Sequence, residues 1–218
     1  RVRLSGRHAD ARLELRPPTD EDLLAVVDLV RRGVHEPDVM PFSTPWTDAP
    51  SPDLERNTLQ WNWRQRVEFT PESWALGLIV VVNEPEPTIV GVQDLFAKHF
   101  MATGVAESGS WLGLAHQGRG IGKEMRAAIL HLAFAGLGAR WCETFAWEDN
   151  VSSLGVTERL GYEPNFLNLV DLGAGAYTNY KAVVLPRNMR VDTAVPNSGG
   201  KTTLDFLRTV VLPAGVHV

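Results

Sequence analysis

The sequence predicts a mixed α/β (α+β) domain built around one central sheet, and three observations carry that prediction. First, residues 111–132 read as a strand that runs into a glycine-rich turn and then a helix. Second, three strand patterns with short connections precede it, at 72–82, 88–96 and 105–114, in the manner of an antiparallel meander. Third, a strand from Ala139 to Phe145 and a capped helix follow it. Strands and helices in this order call for helices layered on a sheet.

Composition sets the bounds. The chain has 218 residues, 44% of them hydrophobic, enough for one compact domain with an appendage. A net charge of −5 without long runs of either sign argues against an obligate nucleic-acid binder. It leaves room for a local basic patch facing a phosphorylated ligand. Cys142 is the sole cysteine, so no intramolecular disulfide forms and a reducing cytoplasm is the simplest home. Its place in an apolar strand suggests buried filler. Arg1 to Arg16 is charged throughout, so no signal peptide is expected, and the missing initial Met suggests that a few residues are absent. The apolar run from Trp74 to Val82 is too short to span a bilayer.

The elements follow in order. Arg12-Leu13-Glu14-Leu15-Arg16 alternates as a half-buried strand does, and Pro17-Pro18 ends it. Thr19 is placed as an N-cap with Asp22 in capping-box position. Leu23, Val26, Val27 and Val30 then stripe a helix that stops at Gly33. Residues 34–53 form a loop with five prolines, carrying His35, Glu36 and Trp46, and a loop this long is usually functional or mobile. Its aromatics could equally staple it to the core. Ser51 and Pro52 read as N-cap and first residue of a helix to about Phe69, with Leu54, Thr58, Trp61 and Val67 on one side. Trp61 and Trp63 cannot share a side, so at least one lines a groove or packs at its edge.

The glycine turn carries the chemistry. Ile121, Met125, Ala128, Ile129 and Leu132 recur at helical spacing after it. Backbone N–H groups therefore gather where the helix dipole is positive, a site suited to phosphate. Gln117-Gly118-Arg119-Gly120-Ile121-Gly122 fits Q/R-x-x-G-x-G/A. The dinucleotide pattern G-x-G-x-x-G fails because the third glycine comes one residue early, and no Gly-Lys-Ser/Thr completes a P-loop. Taken alone, the hexapeptide is also explained as an ordinary helix cap.

A second segment, residues 148–162, places Asn150 as an N-cap, Val151, Leu154, Val156 and Leu160 as an apolar side, and Gly161 as the stop. A capped amphipathic helix explains Asn150 and Gly161 by itself. It does not explain why that helix lies 30 residues after a pyrophosphate-type turn, with one helix and one strand between.

Together the two segments resemble the GNAT acetyltransferase superfamily, over about residues 12–185. "GSWLGLAHQGRGIGKEMRAAILHLAFAGLGA" and "WEDNVSSLGVTERLGYEPN" look most like its RimJ/RimL-like branch, which is broad in substrate. The resemblance implies a GNAT fold: a mostly antiparallel sheet of about six to seven strands, flanked by about four helices, with one strand pair splayed at the acyl-CoA site. It implies a GNAT acyltransferase domain over 1–186 and an extension over 187–218 that packs on the domain or on a partner chain, so a homodimer is among the arrangements allowed.

The implied activity is acyl transfer from acyl-CoA, acetyl-CoA being the commonest, to a primary amine of a small molecule or peptide. Direct attack in a ternary complex needs neither a protein nucleophile nor a metal. The implied cofactor contacts are Leu112, Leu114 and Asn150 with pantetheine, Gln117, Gly118, Arg119, Gly120, Ile121, Gly122 and Lys123 with pyrophosphate, and Ser153 near the thioester sulfur. The Leu112 N–H would polarise the thioester carbonyl. Glu107 is the expected general base, with Asp94, His35 and Glu36 as runners-up. Ser153 is the expected acid, with Tyr177 and Tyr180 as alternatives; Tyr162 more simply packs as core. The acceptor side is expected to use His35, Trp46, Trp61, Asp94 and Tyr180. After Tyr162 the chain departs from its relatives, since residues 163–169 are apolar and lack Arg or Lys. A different reading of the same motifs is a non-catalytic acyl-CoA-binding module.

Overall fold

The computed structural model describes residues 2–5, 12–83, 85–164 and 177–182. The extension at 187–218 and the segment 165–169 lie outside the described residues. One eight-stranded sheet runs in the order β1-β2-β3-β4-β5-β6-β8-β7. Its strands are β1 (Val2–Ser5), β2 (Arg12–Arg16), β3 (Ser73–Val82), β4 (Thr88–Lys98), β5 (Val105–Leu112), β6 (Trp141–Trp147), β7 (Glu163–Pro164) and β8 (Tyr177–Ala182). All neighbours are antiparallel except β5 and β6. The sheet has more strands than the six to seven expected because two short strands, β1 and β7, form its edges.

Helices α1 (Asp20–Arg31) and α2 (Asp53–Val67) lie on one face. Helix α4 (Ile121–His131) lies on the other, with α5 (Val151–Arg159) beside it. The expected loop at 97–104 contains a single helical turn, α3 (Phe100–Thr103). The capping box forms as expected: the Asp22 N–H donates to Thr19 Oγ1 at 3.1 Å, and the Thr19 N–H donates to Asp22 Oδ2 at 2.7 Å. Arg16 Nη2 donates to Asp22 Oδ1 at 2.7 Å, and this bond is the main reason the carboxyl is held down at about 2.

The main core lies between the sheet and α4, where Ile121, Met125, Ala128 and Ile129 meet Leu13, Leu76, Val80, Leu95 and Ala106. Complete burial of such a side chain contributes about 1.5–3 kcal/mol. The opposite face has a smaller cluster, Val26 of α1 with Ile79, Val81 and Val92.

Helix α2 departs from its pattern. It begins at Asp53, with Pro52 rather than Ser51 at the cap position. Its buried stripe is Thr58, Asn62 and Gln65, while Trp61 is 49% and Val67 84% exposed. The apolar side expected from Leu54, Thr58, Trp61 and Val67 is thus rotated, because the sheet beneath presents a polar group. Val151 likewise faces solvent instead of joining the apolar side of α5.

Candidate active site

The site begins where β5 and β6 part. Their parallel ladder has three residue pairs, Val105↔Trp141 to Glu107↔Glu143. Beyond it a side chain takes over, with Thr144 Oγ1 donating to the Ser108 carbonyl at 3.1 Å. β6 runs on to Trp147 paired only with β8, so a wedge opens along the far half of β5. The Gly113 N–H donates to Val90 of β4 at 2.9 Å. N–H directions alternate along a strand, so the Leu112 N–H points away from β4, into the wedge. The Leu112 carbonyl on that side accepts Gln117 Nε2 at 3.0 Å. Leu114 is different from the expectation: its N–H donates to the Gly33 carbonyl at 3.0 Å, since the chain has already turned into a short 3₁₀ segment, Leu114–His116.

The glycine turn closes the wedge. Gly118 and Gly120 adopt φ of 70° and 81°, which only glycine takes up without strain. No side chain caps α4 at Gly120; the Lys123 N–H turns back to the Gly120 carbonyl at 3.1 Å, and the positive helix end is left to the N–H groups of Ile121 and Gly122. Arg119 and Lys123 are exposed beside it. Gln117 braces the turn from behind, because its Nε2 also donates to the Val34 carbonyl at 2.7 Å and so ties the turn to the end of α1. On the other flank, α5 approaches so closely that a Cβ at Gly122 would lie 3.7 Å from Val156 Cγ2. The structure therefore brings the two sequence motifs together. Asn150 Oδ1 accepts the Ser153 N–H at 3.1 Å, the simple capping role, and Ser153 is half-buried one turn from Val156.

The acids lie on the α2 face of the sheet. Glu107 reaches solvent, yet crowding raises its pKa, and its register partner Glu143 raises it further. Asp94 of β4 is 9% exposed and sits under Gln65. Burial pushes its carboxyl up to about 7, with the nearby Gln65 side chain pulling it back in part.

Residues 12–163 match the acetyltransferase (GNAT) domain family. The chain belongs to the GNAT acetyltransferases. Among solved structures its fold is similar to RimL, a ribosomal L7/L12 α-N-protein acetyltransferase in complex with coenzyme A. That likeness has 17% identity and a TM-score of 0.61, over 79% of this chain and 94% of the other. Mycobacterium smegmatis RimJ, in complex with CoA-disulfide, aligns with a TM-score of 0.65 and 17% identity, over 80% and 85%. MccE, the microcin C7 self-immunity acetyltransferase, in complex with acetyl-CoA and AMP, gives 0.58 and 19%, over 81% and 94%. At these identities the likeness is one of fold.

In this GNAT domain the proline loop packs as a roof. Ring contacts run from His35 to Phe42 (5.8 Å), Phe42 to Trp46 (5.2 Å) and Trp46 to Trp111 of β5 (5.8 Å). His35 Nε2 lies 2.7 Å from Thr47 Oγ1. Of the expected acceptor-side residues, His35 and Trp46 therefore sit together over the far end of β5, whereas Trp61 packs edge-on against Phe96 at 6.4 Å. Trp61, Gln65 and Phe96 line a shallow open groove that continues to Trp74 and Lys98. It lies beside Asp94, off the wedge itself. Tyr180 stands opposite Thr144 in register, with its side chain outside the described residues. Among the described residues no group of acidic, His and Cys side chains could hold a metal, and no helix is long and apolar enough to cross a membrane.

A polar cluster fills the base of the wedge. Arg126 of α4 is 4% exposed and donates to Thr144 Oγ1 and Ser110 Oγ, both at 3.0 Å, bridging the two parted strands. The Tyr162 hydroxyl lies 3.3 Å from Ser108 Oγ, and burial pushes both Tyr162 and Cys142 up to about 12. Cys142 is thus inert filler, as its apolar strand suggests. The sequence did carry a signal for Arg126: it falls four residues after Gly122 and three before Ile129, a charge inside an apolar stripe.

Proposed function

We propose that this GNAT domain moves an acyl group, most simply acetyl, from acyl-CoA to a primary amine of a small molecule or peptide. One observation carries the reading: the β5–β6 ladder stops after three pairs, directly beside an uncapped helix start. The wedge suits an extended arm that pairs with a strand edge, and the helix start suits a pyrophosphate. Gly118, Arg119, Gly120, Ile121, Gly122 and Lys123 would hold the pyrophosphate, with Gln117 fixing the turn from behind. Asn150 and Ser153 would flank the pantetheine end.

The amine nitrogen attacks the thioester carbonyl carbon, a C–N bond forms, and the C–S bond breaks as the tetrahedral intermediate collapses. The Leu112 N–H, aimed into the wedge, stabilises the oxyanion. Ser153 passes its hydroxyl proton to the departing thiolate and takes one back from solvent, ending the turnover as the neutral hydroxyl. The proton lost by the amine goes to the acidic face formed by Glu107 and Asp94. The RimL and RimJ likenesses support placing the chain in their branch. The roof of His35, Phe42 and Trp46 would form one wall of the acceptor site.

The test is a pair of measurements on the full chain. Millimolar acetyl-CoA should raise Tm, as any ligand that favours the native state must, and thiol should be released when amines are added. In Gly120→Asp the shift should vanish, since a side chain at φ 81° is strained and a carboxylate opposes the pyrophosphate. No Tm shift in the parent protein overturns the proposal. A shift with no thiol release from a broad amine panel leaves a binding module in place of an enzyme.

A further inference from the structure

We infer that Thr144, turned by Arg126, is the latch that ends the β5–β6 ladder and keeps the wedge open for the acyl-CoA arm. The identity of that arm rests on the acyl-transfer reading; the latch rests on the two strands alone. The Trp141 N–H donates to the Gly104 carbonyl at 3.1 Å, and this bond starts the ladder. Backbone groups alternate in direction along each strand. The carbonyls of Ala106 and then Ser108 therefore also face β6, and the N–H groups of Glu143 and then Phe145 face β5. The last register pair is Glu107↔Glu143. The first rung the ladder lacks is thus the bond from the Phe145 N–H to the Ser108 carbonyl. The Thr144 hydroxyl stands in its place, donating to that carbonyl at 3.1 Å.

Arg126 decides where the Thr144 proton goes. A hydroxyl has a single proton. Arg126 Nη1 donates to Thr144 Oγ1 at 3.0 Å, so the proton turns away from the guanidinium and is left for the Ser108 carbonyl. The other arm of the rigid fork donates to Ser110 Oγ at 3.0 Å, two residues further along β5. Arg126 is buried, its Nε has no hydrogen-bond partner, and among the described residues no carboxylate pairs with it. Packing does not account for a bare cation beside Met125, Ala128 and Ile129, because a buried charge without a counter-charge costs stability. Its two bonds at the junction do account for it.

The far end of the edge is closed in the same way, since Gln117 Nε2 occupies the Leu112 carbonyl at 3.0 Å. Between these two side chains the Ser110 N–H, the Ser110 carbonyl and the Leu112 N–H face the wedge with no strand opposite. A ladder continued to Trp147 would take all three. Strand β6 and an extended ligand arm therefore compete for one edge, and the latch holds β6 off it.

The experiment uses the full chain as Thr144→Val, Thr144→Ser, Arg126→Met and the double variant Arg126→Met with Thr144→Val. Amide hydrogen exchange is followed by NMR without ligand, and Kd for acetyl-CoA is measured by calorimetry. Thr144→Val keeps the size of the side chain and removes the hydroxyl, which frees the Ser108 carbonyl for the Phe145 N–H. Phe145 exchange should slow roughly fivefold and acetyl-CoA should bind roughly fivefold more weakly, the effect of about one backbone hydrogen bond. A merely structural role for Thr144 would speed exchange, because destabilised variants open more often. Thr144→Ser restores the hydroxyl and should match the parent in both readouts. Arg126→Met should move both the same way as Thr144→Val, and in the double variant it should weaken binding no further.

Phe145 exchange that is unchanged or faster in Thr144→Val overturns the inference. So do affinity losses that add in the double variant, or a Thr144→Ser variant that behaves like Thr144→Val. No binding of acetyl-CoA by the parent protein counts against the acyl-transfer reading; the latch is then judged by Phe145 exchange alone, with the same result overturning it.

Discussion

Replacing Asp94 by Asn should make the protein more stable at neutral and alkaline pH, because the native fold holds this carboxyl against its ionisation. Burial moves it from 3.8 to about 7, roughly 3 units, and each unit corresponds to about 1.4 kcal/mol. A carboxyl whose folded pKa is raised carries no cost below its unfolded value, where both states are protonated. The cost builds between about pH 4 and about pH 7 and is complete above, where it reaches at most about 4 kcal/mol. Asparagine keeps the size and can still meet Gln65, but never ionises. Urea unfolding at about pH 4 should therefore give nearly equal stabilities, while at about pH 8 the variant should lead by up to about 4 kcal/mol. Glu107, also raised, contributes to both proteins and cancels in the comparison. Parallel stability curves across this range, or a parent protein that gains on the variant as pH rises, would refute the reasoning.

Two other substitutions probe neighbouring parts of the structure. Asp22→Asn removes the carboxylate shared by the α1 capping box and Arg16; it should cost about 1 kcal/mol at neutral pH by urea unfolding. Because Asp22 is held down at about 2, that loss should shrink as pH falls from about 4 toward 2, when the parent carboxylate is itself protonated. Gln117→Ala frees the turn from Val34 and Leu112, two bonds of about 1 kcal/mol each, and steady-state kinetics should show KM for acetyl-CoA rising about tenfold or more with kcat less affected.

How far the sequence revealed this molecule follows from what kind of signal each part leaves. The capping box, the meander, the glycine turn and α4 were legible because each depends on neighbours a few residues apart. The parting of β5 and β6 leaves no local trace, since it depends on a ladder that ends between strands 36 residues apart in register; only the resemblance implied it. The face of α2 was misread for a related reason. Its tryptophans and Val67 dominate any hydrophobicity pattern, but the residue it must cover, Asp94, lies on another element. Leu114 was misjudged because its N–H is claimed by Gly33, 81 residues earlier. Gln117 fits the pyrophosphate motif by type, yet its side chain bonds to Val34, 83 residues away.

The two faces of the sheet divide the work. Toward α4, the packing is apolar, and there Ile121, Met125, Ala128 and Ile129 supply stability. Toward α2, a helix that could have buried Trp61 and Val67 buries Thr58, Asn62 and Gln65 instead. Thr58 Oγ1 and Asn62 Nδ2 donate to carbonyls of their own helix, so these two are satisfied locally and contribute little to holding α2 down. Gln65 alone reaches across, to a carboxyl that the fold makes costly to ionise. A sequence selected only for stability would put apolar side chains in place of Asp94 and Gln65. Local rules are broken here, on the face beside the wedge and away from the main core. Sites of function are where such breaks are expected, since holding a carboxyl against its ionisation draws on the stability of the fold.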